Sequence, residues 1–376
     1  VNDHAKIPFN KPYWSGRELE YIEQAVRNGH LSGNGPFTRK CHDFFQQRYH
    51  FNKCLLTTSC TSALEMAAIL IGIQPGDEVI LPSFTFVSTA NAFILRGARL
   101  VFVDSLAENP NLDLSQIESL ITPRTKAIVP VHYGGIAGDM EALMELAHRH
   151  HLYVVEDAAE AIDATYRGRP LGSFGDLAAF SFHETKNIIA GEGGMLVINN
   201  TEFQERAEIL WEKGTNRMAF FRGQVDTYRW VDIGSSYLPS ELNAAYLYAQ
   251  LENLDVIQAR RLSLWQRYQL QLGDWGRNHD VQMPYLPDYA SNNGHLYYLV
   301  FPSLCRRTEM IQALRRENIM AVFHYQSLHR SPFYVLRHDG RELPQADRYS
   351  DGLLRLPFYY ELEQQQIDRI CSIIVS

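Results

Sequence analysis

The sequence predicts an α/β protein, with a large domain built on a sheet covered by helices on both faces and a smaller α/β domain toward the C-terminus. Three observations lead there. From about residue 54 to 199, short apolar runs alternate with stretches of amphipathic helical period. After a loop rich in Asn, Pro and Asp at 283–293, the pattern restarts as strand, helix, strand. The chain's 376 residues, 45% hydrophobic and 21% charged, also make more core than one domain usually holds. The boundary falls after residue 254, with 1–254 (including an N-terminal arm) as the large domain and 255–376 as the small one.

Strands are expected at 54–58, 78–81, 100–104, 127–131, 153–157, 178–182 and 195–198. Most are continuously apolar rather than alternating, the pattern of strands buried on both faces. Between them, 61–71 sets Leu64, Ala67, Ala68 and Ile71 on one helical face, and 139–150 does the same with Met140, Leu143, Met144 and Ala147. Both read as half-buried helices, the second N-capped by Asp139. Pro75-Gly76-Asp77 makes a turn before the second strand. After a turn-rich stretch at 214–234, residues 240–254 read as a helix capped by Ser240 with Glu241 in its first turn. A charged helix at 255–272 leads into the small domain, with a strand at 295–301, a helix at 308–317 and a strand at 321–324.

Composition excludes several roles. A net charge of −8 argues against nucleic acid as the main partner, because phosphate backbones need clustered Lys and Arg. The five cysteines, Cys41, Cys54, Cys60, Cys305 and Cys371, are scattered without CxxC spacing, so neither a disulfide framework nor a zinc site is indicated. The segment VNDHAKIPFNKPYW has no apolar run of signal-peptide length, and no stretch elsewhere is long enough to span a bilayer. The expectation is a cytoplasmic protein with no membrane or nucleic-acid partner and no metal.

Four segments carry candidate chemistry. SFHETKN at 181–187 places Lys186 just past an apolar strand and beside the glycines of AGEGG, where its amine could form a Schiff base with an aldehyde cofactor. By spacing alone, a surface lysine near a hairpin fits better. YVVEDAAE at 153–160 puts Asp157 at the carboxyl end of a strand, the edge where open α/β sheets collect ligands, and a carboxylate there could keep a pyridinium nitrogen protonated. A plain helix-capping aspartate would read the same. TTSCTSALEM at 57–66 runs from a strand through small hydroxyl residues straight into a helix, a turn that suits either an anion or simple capping by Ser59 or Thr61. In LPSFTFVSTANAF at 81–93, Phe86 could stack on a heteroaromatic ring or serve as core.

Together, in this order and followed by GEGG, the four segments resemble the sugar aminotransferases of the DegT/DnrJ type, within the fold-type I enzymes that use pyridoxal 5'-phosphate (PLP). The resemblance runs from IPFN at residue 7 to the C-terminus. It implies a mostly parallel seven-stranded sheet in the large domain and a homodimer with shared active sites. It also implies roles. Lys186 matches the Schiff-base lysine and Asp157 the partner of the pyridine nitrogen. Ser181 and the amides of Cys60 and Thr61 match phosphate ligands, and Phe86 matches the ring-stacking position. His324 and His329 of FHYQSLH fall near the sugar nucleotide.

Two positions depart from the pattern. Glu160 stands where many relatives carry Gln or His against the cofactor's phenolic oxygen, so it is expected to be protonated or turned away. GSSYL at 234–238 replaces a segment whose Asn reaches the partner subunit's phosphate, leaving Ser235, Ser236 or Arg222 to serve instead. SCTSALEMAA, VSTANAF, KGTNR and FFRGQVD are similar to the branch that acts on dTDP-4-keto-6-deoxyglucose in enterobacterial common antigen synthesis. The activity implied is transfer of the amino group of L-glutamate to that keto-sugar, giving dTDP-4-amino-4,6-dideoxygalactose. Amination at C3, or an equatorial amine at C4, are the alternatives within the same chemistry. A sugar dehydratase of the same fold would replace Lys186 with histidine, and a non-catalytic PLP-binding sensor would need neither Lys186 nor Asp157. A nucleotide-binding α/β fold would show a Walker motif or GxGxxG after its first strand, and this chain has neither.

Overall fold

All seven strands expected in the large domain join one sheet in the computed structural model, which describes residues 5–376. They are β1 (Cys54–Thr57), β2 (Glu78–Pro82), β3 (Arg99–Val103), β4 (Thr125–Ile128), β5 (Tyr153–Asp157), β6 (Leu177–Ser181) and β7 (Gly194–Ile198). Their lateral order is β1-β7-β6-β5-β4-β2-β3. The run from β3 to β6 pairs in parallel throughout, and only β7 runs against its neighbours β6 and β1. Continuous apolarity is explained by two cores. Leu56, Ile80, Val154, Ala178 and Val197 face one, whereas Leu55, Val79, Val155, Ala179 and Leu196 face the other.

Helices cover both faces, as the sequence predicts. Met140–Arg149 lies on the first face and is capped by Asp139, whose Oδ1 accepts the Ala142 amide at 3.2 Å. Met144 is only half-buried, so its apolar stripe is narrower than expected. Cys60–Leu70 and Val87–Ile94 lie on the second face. Cys60–Leu70 buries Ala63, Met66 and Leu70 besides the expected stripe, because the sheet and neighbouring helices enclose it on several sides.

Two N-terminal helices, Glu18–Arg27 and Pro36–Tyr49, were not anticipated. The second has no side-chain cap of its own. Its amides are satisfied from afar by Glu241, in the first turn of Glu241–Glu252. This fully buried carboxylate accepts the amides of Gly35 at 3.0 Å, Phe37 at 2.7 Å and Thr38 at 3.0 Å, and also the Thr38 hydroxyl. A Cβ on Gly35 would lie 2.5 Å from the Glu241 carboxyl carbon, so only glycine lets the backbone come this close.

The small domain carries a three-stranded antiparallel sheet in the order β8-β10-β9, formed by β8 (Tyr298–Val300), β9 (Val322–Phe323) and β10 (Leu353–Arg355). Its central strand, β10, was not foreseen, and the outer two are shorter than expected. Leu254–Asn278 ties the domains together, with Leu254 and Ile257 in a large-domain core and Leu264, Tyr268 and Leu272 in the small-domain core. Ile7 of the N-terminal arm bridges Ile319 in parallel and packs into that same small-domain core, although the sequence grouped the arm with the large domain. No helix among the described residues is long and apolar enough to cross a membrane.

The shared cap makes a stability prediction. Glu241→Ala, which leaves three buried amides without their acceptor, lowers unfolding free energy by at least about 2 kcal/mol in denaturant titrations. Glu241→Gln keeps one acceptor oxygen and loses less. Equal stabilities of wild type and Glu241→Ala would refute the assignment.

Candidate active site

A cavity of about 540 Å³ opens at the carboxyl edge of the parallel strands. Strands β3 and β4 depart to opposite sides of β2, and such a reversal of strand order leaves a crevice outside the strand ends. Ser59, Cys60 and Thr61 enter its wall after β1, Thr85, Phe86 and Ser88 after β2, and Val131 and His132 after β4. Asp157 and Glu160 come from the end of β5, and Ser181 and Lys186 from the end of β6. The small domain closes the cavity with His295, His324, Tyr325 and Arg355.

Lys186 sits on a bonded loop rather than a loose glycine segment. Between β6 and β7 the Phe182 amide donates to Gly193 O, the Glu184 amide to Gly191 O and the Ala190 amide to Phe182 O, while the Lys186 amide closes a turn onto His183 O. Phe182, buried, stacks on Phe45 at 5.5 Å, and the buried Asn187 donates to Gln258 Oε1 and to Asn293 O, each at 2.9 Å. The lysine backbone is therefore fixed on both sides, and its side chain, 15% exposed, projects into the cavity.

Asp157 is held just as firmly. Its Oδ2 accepts the Thr89 hydroxyl at 2.7 Å and its Oδ1 accepts the Ala159 amide at 3.2 Å. Burial pushes its carboxyl up from the usual range against these bonds, a cost that a cationic partner such as a protonated ring nitrogen removes. At another wall, helix Cys60–Leu70 begins with Ser59 as cap, its Oγ accepting the Ser62 amide at 3.1 Å. Capping and anion binding thus coexist, because Ser59 satisfies only one of the helix's free amides. Thr61 donates to Ser88 Oγ at 2.7 Å, adding hydroxyls to the same wall. A Cβ on Gly194 would lie 2.3 Å from Cys60 N, so this glycine lets β7 pack under the turn. Phe86 is 55% exposed at the cavity mouth, where it can cover a bound ring.

Glu160 meets neither expectation raised by its charge. It is not turned away, since Oε1 lies 3.5 Å from Lys186 Nζ, 3.3 Å from His295 Nε2 and 3.2 Å from the Tyr325 hydroxyl, and Oε2 accepts the Gly134 amide at 2.7 Å. Nor is it protonated. Burial pushes it up, but His295 and Lys186 outweigh burial and hold the carboxyl well below the usual range. The Asn187 amide orientation is pinned by its two acceptors, which turns Oδ1 toward His295 Nδ1 at 2.8 Å. Both ring nitrogens of His295 thus face acceptors, while burial pulls its pKa down to about 4 against the pull of Glu160. Lys186, the Gly134 amide and the Tyr325 hydroxyl favour an ionised Glu160 whatever proton His295 carries.

The cavity therefore gathers Lys186, Asp157, Cys60, Thr61, Phe86, Glu160, Ser181 and His324 of the residues singled out from sequence. His324 accepts or donates at Nδ1 to the Tyr133 hydroxyl at 2.8 Å and stacks on Tyr325 at 3.6 Å. His329 is not brought to the cavity. Its buried ring bonds Ser83 Oγ at 2.7 Å and lies 3.6 Å from Asp347, behind the end of β2. Ser235 and Ser236 are exposed elsewhere, and Arg222 pairs with Glu208 at 2.8 Å. His295, Tyr325 and Thr89 were missed. Tyr325 sits inside the FHYQ stretch already singled out, and His295 opens the apolar run of a strand, where it reads as core.

The donor set fits PLP. A lysine amine suits its aldehyde, a buried carboxylate its ring nitrogen, and helix amides with hydroxyls its phosphate. Comparison with known proteins agrees. Residues 12–375 match the model of the DegT/DnrJ/EryC1/StrS aminotransferase family. The spore coat polysaccharide biosynthesis protein SpsC of Bacillus subtilis is 34% identical over 377 aligned positions, covering 98% of this chain and 96% of that protein. Among solved structures, the aminotransferase TlmJ from Streptoalloteichus hindustanus superposes with a TM-score of 0.90 at 29% identity, covering 99% of this chain and 98% of that one. DesV of S. venezuelae, in complex with a ketimine intermediate, does so with a TM-score of 0.89 at 31% identity and the same coverage.

The low carboxyl of Glu160 fixes the sign of a pH effect. A depressed carboxylate contributes stability above its unfolded pKa of about 4.3 and loses it as pH falls through the folded value, by up to about 1.4 kcal/mol per pH unit. Glu160→Gln is thus expected to melt with a shallower pH dependence than wild type below about pH 4.3. Parallel melting curves would remove the charge assigned to Glu160.

Proposed function

Because the chain belongs to the DegT/DnrJ/EryC1/StrS aminotransferase family, we propose that it moves the amino group of L-glutamate to C4 of dTDP-4-keto-6-deoxy-D-glucose, giving dTDP-4-amino-4,6-dideoxy-D-galactose and 2-oxoglutarate. It is a PLP-dependent sugar aminotransferase, and the proposal concerns its substrate, product and residue roles. The observation that carries the reading is the cavity itself, where a fixed lysine, a buried carboxylate and a helix N-terminus stand together.

PLP, when bound, supplies the aldehyde that takes nitrogen from the donor and a cationic ring that withdraws electrons. In this reading Lys186 Nζ holds the cofactor and, once released, carries a proton to and from the donor's reacting carbon. Asp157 keeps the ring nitrogen protonated. The amides of Cys60 and Thr61 and the Ser181 hydroxyl bind the phosphate, and Phe86 covers one ring face and keeps water from it. Glu160 holds its negative charge beside Lys186, where it favours the cationic state of the lysine nitrogen. His324, at the small-domain wall, contacts the sugar nucleotide.

A second copy completing the site is part of the same proposal. Ser236 and Arg222 lie on a segment outside this chain's own cavity, and that segment exposes Phe221, Tyr228 and Trp230, the last by 81%. Aromatic exposure of this kind suits burial in a two-fold dimer. All five cysteines are free, which supports a reducing cytoplasm.

The test is product analysis. Purified protein with PLP, L-glutamate and dTDP-4-keto-6-deoxyglucose is expected to yield an axial C4 amine by NMR, with Lys186→Ala slower by about 10³-fold or more. An equatorial or C3 amine would correct the product, and bound PLP without any amine would replace the reading with that of a sensor.

A further inference from the structure

The cavity holds two cations, and only one has a carboxylate partner. Lys186 faces Glu160, whereas Arg355, on the central small-domain strand β10, forms no ion pair among the described residues. Its Nε is buried without any hydrogen-bond partner, while its guanidinium carbon lies 4.8 Å from the centre of the Phe9 ring. A buried guanidinium nitrogen left unpaired carries a desolvation cost that an incoming anion repays. The cavity's own carboxylates do not repay it. Asp157 is engaged by Thr89 and the Ala159 amide, and Glu160 has donors from Gly134, Tyr325, His295 and Lys186.

Position selects the anion. Glu160 joins Lys186 to the Tyr325 hydroxyl, Tyr325 stacks on His324 at 3.6 Å, and His324 lies within the electrostatic reach of both Lys186 and Arg355. The guanidinium therefore stands across a short gap from the reacting amine. In an amino acid the α-carboxylate is bonded to the very carbon that bears the nitrogen, so it reaches such a cation. In a 4-keto sugar nucleotide the diphosphate hangs from C1, with the width of the pyranose ring between it and the reacting carbon. The planar fork of arginine also matches a carboxylate in two-point contact.

We propose that Arg355 binds a carboxylate of the amino donor and so acts as a donor-specificity residue of this site, an inference that rests on the aminotransferase reading. The keto-sugar, occupying the same space in the second half of the cycle, meets Arg355 only through neutral oxygens. Arg355 therefore distinguishes the two substrates that share the cavity.

Each half-reaction is followed separately in the holoenzyme by the cofactor's absorbance, first with L-glutamate alone and then, on the aminated enzyme, with dTDP-4-keto-6-deoxyglucose alone. Arg355→Met is expected to raise the L-glutamate concentration for half-maximal rate by about 50-fold, with Arg355→Lys between it and wild type, and to change the sugar half-reaction by less than about threefold. Retained cofactor absorbance certifies folding, and Arg355→Lys carries the test if the methionine variant does not fold. A larger loss with the sugar would overturn the proposal by assigning Arg355 to the diphosphate, and so would unchanged response to L-glutamate in both variants. Failure of wild type in both half-reactions would instead overturn the function on which the inference rests.

Discussion

A buried, ionised carboxylate is the constraint on which the site depends. Removing Glu160 from water costs several kcal/mol unless donors surround it, and its donors come from four separate places in the chain. Gly134 follows β4, Lys186 follows β6, and His295 and Tyr325 belong to the small domain. The charge can be satisfied only when the two domains and both loops are in register. Asn293 reinforces the arrangement by donating to Glu160 O at 2.7 Å and to Ile162 O at 2.8 Å, which draws the loop before β8 onto the end of β5. The cavity's shape follows from this one group more than from the apolar packing around it.

The sheet supplies the rest. Parallel strands deliver their carboxyl ends to one edge, so Asp157, Ser181 and the turns after β1 and β2 arrive there without any contact between their sequences. The reversed strand β7 allows the loop carrying Lys186 to leave β6 at this edge and return to it, closing as a bonded hairpin rather than crossing the sheet. This geometry places two carboxylates and two cations in one enclosure. Asp157, whose carboxyl is pushed up by burial, suits a partner that brings positive charge, and Glu160, whose carboxyl is held low, already has one. The same residue type plays opposite parts because their neighbours differ.

What could be read from the sequence follows the range of the interactions. The strands were legible because burial on both faces leaves continuous apolar runs, and the caps Asp139 and Ser240 because a cap acts within three residues. The helix Pro36–Tyr49 was not, since its cap is Glu241, more than two hundred residues away. Lys186, Asp157 and Glu160 stood out because they end strands of the large sheet. Arg355 and His295 did not, because a charged or polar residue inside LLRLPFYY or HLYYLVF looks like an interruption of a core strand until the fold turns it toward the cavity. His329 went the other way. Its spacing from His324 resembles a paired site, yet the 3₁₀ turn Leu328–Arg330 directs its ring to Ser83 and Asp347.

The exposed segment after Trp211 poses a different physical problem. Trp230, Phe221 and Tyr228 pay nothing for burial in this chain and gain nothing from water, and a fold that buries Trp211 completely has no need of them as core. The segment is nonetheless anchored. The Val231 and Asp232 amides donate to Gly214 O, and a Cβ on Gly214 would lie 2.0 Å from Asp232 O, so the chain closes tightly on itself here. An anchored loop that offers aromatic side chains to solvent is shaped in advance for a surface it does not meet within its own chain, and ordering it beforehand reduces the entropy lost on association. That economy favours a second copy as the surface, because the residues sought for the far side of the site, Ser235, Ser236 and Arg222, are carried on this loop and nowhere near the chain's own cavity.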